Sequence, residues 1–153
     1  MPSFTPSTGT PHGISPALEQ YIEAIADLLT REKVCSVSQV AQQVQVSRPA
    51  ASRAIRELTE QNLVEHKAYG YVDLTAKGQQ LAKKMAARHN ALYDFLKDVL
   101  QFDDERANLE ACRLEHQVDE EFVGRLSELT KLFAGDAKLT AAWSRRIKRA
   151  AKT

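Results

Sequence analysis

The chain has 153 residues, 43% of them hydrophobic and 27% charged, the make-up of an ordinary soluble globular protein with room for one compact core or a small domain plus a helical module. No apolar run approaches the roughly 20 residues that span a bilayer, and the N-terminus lacks the charged-then-apolar pattern of a signal peptide, so a cytoplasmic location is expected. The net charge of +1 conceals a basic stretch over residues 31–90 (10 Lys/Arg, 5 Asp/Glu) and an acidic one over 103–133 (9 Asp/Glu, 4 Lys/Arg). The first suits phosphate contacts and the second a cation, although either could be a solvated face.

Residues 1–15, rich in Pro, Ser, Thr and Gly, read as a disordered segment. Ser15-Pro16 then starts a helix, Ser as N-cap and Pro in the first turn, and Leu18, Ile22, Ile25, Leu28 and Leu29 carry it to about Arg31. Ser36 or Ser38 opens a short second helix containing Val40, Ala41 and Val44. After a turn at Gln45-Val46, Ser47 caps a third, in which Ala51, Ala54, Ile55 and Leu58 face inward. Leu63-Val64 and Tyr71–Leu74 read as two strands joined across Ala68-Tyr69-Gly70. That order predicts a winged helix-turn-helix over residues 16–77, with a two-stranded wing.

Thr75 caps a long helix expected to reach Leu100, with Leu81, Met85, His89, Leu92, Leu96 and Leu100 as one stripe. Residues 103–117 and 119–133 read as two more helices. Residues 78–135 thus form an all-helical domain, and the fold class is mainly α. Its apolar surface (Phe122, Leu126, Leu129, Leu132, Phe133) exceeds what one small bundle needs, which dimerisation would account for. Residues 136–153 form a basic tail, readable as an amphipathic helix or a frayed end. Cys35 reads as a small buried hydrophobe, and two cysteines so far apart as reduced thiols.

In a helix-turn-helix the start of the second helix enters the major groove. Here that places Ser47, Arg48, Pro49, Ala50, Ser52 and Arg53 at the DNA, with Arg56 one turn on. Arg48 and Arg53 suit guanine edges or phosphates, and Pro49 and Ala50 suit thymine methyls. His66, Lys67 and Tyr69 of the wing suit the DNA backbone.

Cys112, Glu115 and His116 stand at i, i+3 and i+4, one face of one helix, and together make a ligand set for a divalent first-row metal. Further candidates are His89, Glu23, Gln20 and Glu110. A lone His on an apolar stripe is more often a satisfied core residue than a ligand. Glu23, beside Ile22 and Ile25, would be explained by a cation.

The run Leu109-Glu110-Ala111-Cys112-Arg113-Leu114-Glu115-His116, followed by Val118-Asp119-Glu120-Glu121, resembles the metal-binding signature of the DtxR/MntR family of metal-dependent transcriptional repressors. Leu18–Ile25 resembles the family's first helix. Leu74-Thr75-Ala76-Lys77-Gly78 matches its post-wing motif, and Arg88-His89 its ligand on the linking helix. The similarity covers residues 16–133. It implies a homodimer that binds a double-stranded DNA operator, with His89, Glu115 and His116 as ligands, Glu23 as in the manganese type and Cys112 as in the iron type. Gln20 stands where the manganese type has Asp and the iron type Met, and its amide oxygen is the weaker ligand. The chain ends too early for the SH3-like third domain of the iron type. Mn(II) or Fe(II) is the expected cofactor, with Zn(II) or Co(II) behind, one or two ions per subunit. The alternative is a winged-helix regulator answering to an organic ligand or a partner protein. A zinc hydrolase lacks support, because no HExxH or comparable motif is present, and no enzymatic activity is expected.

Overall fold

In the computed structural model, which describes residues 13–150, the chain forms two compact units that divide after Met85. Most of the N-terminal segment expected to be disordered, residues 1–12, lies outside the described residues, as do residues 151–153 of the tail.

The first unit holds α1 (Pro16–Arg31), β1 (Cys35–Ser36), α2 (Val37–Val44), α3 (Arg48–Glu60), β2 (Val64–His66) and β3 (Tyr71–Leu74). The capping residues fix the helix starts. Ser15 Oγ accepts from Leu18 N with Pro16 in the first turn, Ser36 and Gln39 form a reciprocal capping box, and Ser47 Oγ accepts from Ala50 N. The tight turn after α2 is made at Gln45, whose φ of 60° is left-handed and whose N–H reaches back to Ala41 O and Gln42 O. Ile22 and Ile25 of α1, Val40 of α2, Ala51, Ile55 and Leu58 of α3, and Val64 and Val72 of the strands close one core. Each large aliphatic side chain there contributes about 1.5–3 kcal/mol by leaving water.

The sheet has three antiparallel strands in the order β1-β3-β2, one more than the expected two-stranded wing. Cys35 pairs with Val72 and Val64 with Leu74. A two-residue strand is too short to show alternation, so β1 left no sequence signal. The hairpin's first strand starts at Val64 rather than Leu63 and continues to His66. Burial, helped by the nearby charges of Asp73 and Glu32, pushes the Cys35 thiol up to about 11, so it stays a neutral, inert packing group.

After β3, Thr75 Oγ1 accepts from Gly78 N and starts α4 (Ala76–Asp94). The chain stays helical to Val99, as expected of a helix to about Leu100, but its last turn is not α. Phe95–Val99 instead make a π turn, with Leu100 N donating to Phe95 O, and Gln101 then takes φ 58° and ends the element. No Pro or Gly marks this departure. Leu96 and Val99 of this turn are both buried.

Beyond it lie α5 (Asp104–Leu114), α6 (Glu120–Gly135) and α7 (Ala137–Ala150). Asp103 and Asp119 are N-caps and not helical residues, so both helices start one residue later than expected. Leu92 and Leu96 pack with Ala107 and Ala111 as the core of this unit. The tail is helical rather than frayed. Trp143 Nε1 donates to Val99 O at 2.6 Å, using a carbonyl of the π turn, and its ring meets Phe133 edge-on at 6.1 Å. No helix among the described residues is long and apolar enough to cross a membrane.

Gly78 sits where the backbone passes closest. A Cβ there would lie 2.0 Å from Leu63 O, the same carbonyl that accepts from Thr75 N. Gly78→Ala is therefore expected to lower unfolding stability by about 2 kcal/mol, measured by urea denaturation.

Candidate metal centre and nucleic-acid interface

The metal candidates of the second unit gather between α4 and the end of α5. The expectation of one helix carrying Cys112, Glu115 and His116 needs correction, because α5 stops at Leu114. Glu115 is its C-cap, still right-handed at φ −56° with its N–H on Ala111 O, and His116 follows in the turn. Glu115 thus keeps its place one turn above Cys112 although the helix has ended.

Arg88 of α4 meets the chain where it turns. Its side chain is buried, and Nη1 donates to Glu115 O at 3.0 Å. This satisfies a carbonyl that the helix end leaves without an intrahelical donor, and puts a cation at the negative end of the helix dipole.

His89 is not a packed core histidine. Its Nδ1 lies 2.9 Å from Glu115 Oε2 and 3.9 Å from Cys112 Sγ, while Nε2 lies 3.1 Å from Asn108 Oδ1. The other oxygen of the same carboxylate, Glu115 Oε1, stands 3.6 Å from His116 Nε2. Glu115 is 8% exposed and so presents a buried carboxylate to two imidazoles.

The His89 ring carries the chemical information. Nδ1 faces the carboxylate and Nε2 the Asn108 amide, so a ring with its hydrogen on Nε2 turns the Nδ1 lone pair toward Glu115 as a ligand atom, whereas a ring with its hydrogen on Nδ1 donates to Glu115 and accepts from the amide NH2. In the tautomer with its hydrogen on Nε2, a cation between Nδ1 and the carboxylate oxygen makes that contact favourable. The Nδ1, Sγ and carboxylate oxygen all lie within 4.8 Å of one another. Bonds of about 2.0–2.3 Å to one first-row ion place neighbouring ligand atoms about 3–4 Å apart, so the donor set fits such an ion with small side-chain adjustments.

Of the remaining candidates, Glu110 is taken up by Arg113 Nη1 at 3.0 Å. Glu23 and Gln20 belong to α1, where Glu23 is half-buried and Gln20 exposed. Asn108 and Arg88 were missed as parts of the centre. The available signal was spacing, since Asn108 precedes Cys112 by one helical turn and Arg88 adjoins His89.

In the first unit, the face of α3 opposite its buried Ala51, Ala54, Ile55 and Leu58 presents Arg48, Pro49, Arg53 and Arg56 to solvent, with Ala50 and Ser52 half-buried. Among the described residues no ion pair engages these three arginines, so their guanidinium groups keep all their donors for a partner. On the wing, Lys67 Nζ pairs with Glu65 at 2.6 Å, which raises its pKa, and His66 is exposed. Tyr69 is 96% exposed at the tip, where φ 62° followed by Gly70 at φ 77° reverses the chain.

Residues 14–72 match the family model described as "Iron dependent repressor, N-terminal DNA binding domain", and residues 75–137 match "Iron dependent repressor, metal binding and dimerisation domain". The HTH-type transcriptional regulator MntR of Shouchella clausii is 26% identical over 119 residues, covering 78% of this chain and 82% of that protein. The structure of the manganese regulator SloR superposes with a TM-score of 0.66 at 32% identity, over 77% of this chain and 55% of SloR. ScaR with bound Zn2+ gives 0.68 at 29%, over 76% and 54%. The chain thus spans about half the length of these solved structures.

If Asn108 holds the His89 tautomer, Asn108→Ala weakens divalent-metal affinity about 10–100-fold in a competition titration against a chelating dye. The circular dichroism spectrum stays unchanged, since Asn108 lies on the exposed side of α5.

Proposed function

The chain belongs to the DtxR/MntR family of iron-dependent repressors, metal-dependent transcriptional regulators and not enzymes, and from that premise we propose how its own residues couple metal to DNA. The family's domains imply operator DNA and a homodimer. The observation that carries the reading is the constellation of His89 Nδ1, Cys112 Sγ and the Glu115 carboxylate inside the segment that matches the metal-binding domain.

Mn(II) or Fe(II) is the proposed effector. Imidazole and carboxylate suit both, the thiolate shifts preference toward Fe(II), Co(II) or Zn(II), and Zn(II) competes by raw affinity. A bound divalent ion supplies the positive charge that lets a thiolate, a carboxylate and an imidazole share one site. Within that site His89, Cys112 and Glu115 are the proposed ligands. Asn108 holds the ring of His89 and Arg88 the backbone of Glu115. His116, on the second oxygen of Glu115, is proposed as a further ligand, which allows one ion or two.

Glu23 and Gln20 of α1 are proposed as additional ligands on the sequence motif. The physical route to DNA is then short. The buried face of α1 shares one core with α3, so restraining α1 restrains the helix that presents Arg48, Arg53 and Arg56. Ser47, Pro49, Ala50 and Ser52 complete the proposed reading surface, and Lys67 and Tyr69 the wing contacts. Two such heads in a dimer read two half-sites, repressing transcription in the cytoplasm. The dimer surface is proposed on α5 and α6, where Leu109, Phe122, Leu129 and Leu132 stay 38–57% exposed.

Chelation tests the coupling. With Mn(II) or Fe(II) under anaerobic conditions, operator affinity is expected to rise about 5–150-fold, and to fall back with EDTA. Glu115→Ala and His116→Ala should each remove that rise while leaving metal-free binding unchanged. DNA binding indifferent to EDTA would instead mean a regulator answering to an organic ligand or a partner protein.

A further inference from the structure

The helix α7 carries a charge pattern that the metal centre and the reading head do not use. Lys138, Arg145, Arg146, Lys148 and Arg149 all lie exposed on it, and it holds no acidic residue. Its other face, Leu139, Thr140, Trp143, Ser144 and Ile147, is half-buried, recurs at helical spacing and is tied down. Trp143 is bonded to Val99 O and packed on Phe133, and Gln101 Nε2 donates to Ser144 Oγ.

The second unit engages every earlier cation it contains. Arg88 holds a backbone carbonyl, Lys97, Arg113, Arg125 and Lys131 sit in ion pairs, and Arg106 lies 4.0 Å over the Phe102 ring. On α7 no side-chain hydrogen bond or ion pair among the described residues engages any of the five. Arg145 stands beside Lys148 and Arg149, and Arg146 beside Arg149, at i,i+3 and i,i+4, where like charges repel. Helix-dipole stabilisation accounts for Lys148 and Arg149 in the last turn, but not for Arg145, Arg146 or Lys138. A row of like charges held against its own repulsion is matched by a polyanion.

We propose that the exposed face of α7 is a sequence-independent contact for DNA phosphates, separate from the reading surface of α3 and the wing. From Lys138 to Arg149 the strip is about 16 Å long, enough to meet several phosphates of a duplex that carries one charge per about 1.7 Å of axis. Ala141 and Ala142 lie among the cations on that face, so no bulky side chain keeps a phosphate backbone away. An anionic membrane is the lesser match, because the apolar face that would enter it is already packed inside the unit. The inference deepens the DNA-binding reading and rests on it.

The test is fluorescence anisotropy of the full-length Mn(II)-loaded protein on a mixed-sequence duplex of about 40 base pairs, from about 50 to about 300 mM KCl. R145Q/R146Q/K148Q/R149Q is expected to make the plot of log K against log salt shallower by about 2–3, since each lost phosphate contact removes about 0.9, and to weaken binding about 10–100-fold at 100 mM salt. Arginine-to-lysine replacement at 145, 146 and 149 should restore the slope. Trp143 fluorescence checks that α7 stays docked.

A glutamine variant with the wild-type slope and affinity overturns the proposal and leaves the DNA-binding reading standing. A lysine variant that fails like the glutamine one also overturns it, by assigning the arginines a structural role. Loss of binding to vesicles of about one-third phosphatidylglycerol, with DNA binding unchanged, overturns it in favour of a membrane surface. A wild-type protein that binds no duplex, with or without metal, removes the DNA-binding reading and this proposal together.

Discussion

A carboxylate taken out of water must be compensated by partners, and the second unit is built around one such group. Glu115 is buried at the end of α5 with an imidazole on each oxygen and Arg88 on its backbone carbonyl. Burying a charge without partners costs several kcal/mol, on the order of what holds a small domain folded. The position of Glu115 is therefore fixed by its surroundings, and it fixes theirs. His89 must come from α4, Asn108 and Cys112 must lie on the exposed side of α5, and the helix must stop where Arg88 can reach its last carbonyl. The same demand for positive charge supports the proposal that the cluster is a cation site.

The first unit follows a different logic. Its core is apolar and self-contained, and its chemistry is on the outside, where the face of α3 opposite that core is left to Arg48, Arg53 and Arg56. Placing α1 in that core gives the unit a handle. Any force on α1 moves or steadies α3, because the interdigitated side chains of Ile22, Ile25, Ala51 and Ile55 do not slide freely. If Glu23 and Gln20 bind an ion as proposed, packing α3 rigidly against α1 lets that ion influence DNA without touching it.

Much of this was legible in the sequence because it is local. Ser15-Pro16, Ser36 and Ser47 announce helix starts through caps that involve neighbours three residues away, and the structure uses all three. The inward face of α3 and the grouping of Cys112 with Glu115 follow from helical spacing alone. What escaped depends on distant partners. The strand β1 exists because β3 offers it a backbone edge. The π turn at Phe95–Val99 exposes a carbonyl that Trp143 takes 44 residues later, the same contact that makes the tail a docked helix rather than a frayed end. At the end of α5, an arginine 27 residues away holds the carbonyl of Glu115. By residue pattern alone His89 reads as a core residue because its own helix is apolar, while the family motif marks it as a ligand, and the fold brings Asn108, Cys112 and Glu115 to its ring.

The central claim is that Cys112, His89 and Glu115 ligate one divalent ion. It is tested most directly by anaerobic Co(II) titration of the wild type and Cys112→Ser, followed by absorption spectroscopy. The account predicts a saturable near-ultraviolet thiolate-to-metal band in the wild type that vanishes in the variant, with an endpoint that counts the ions. No saturable spectrum, or one that Cys112→Ser leaves unchanged, would contradict it.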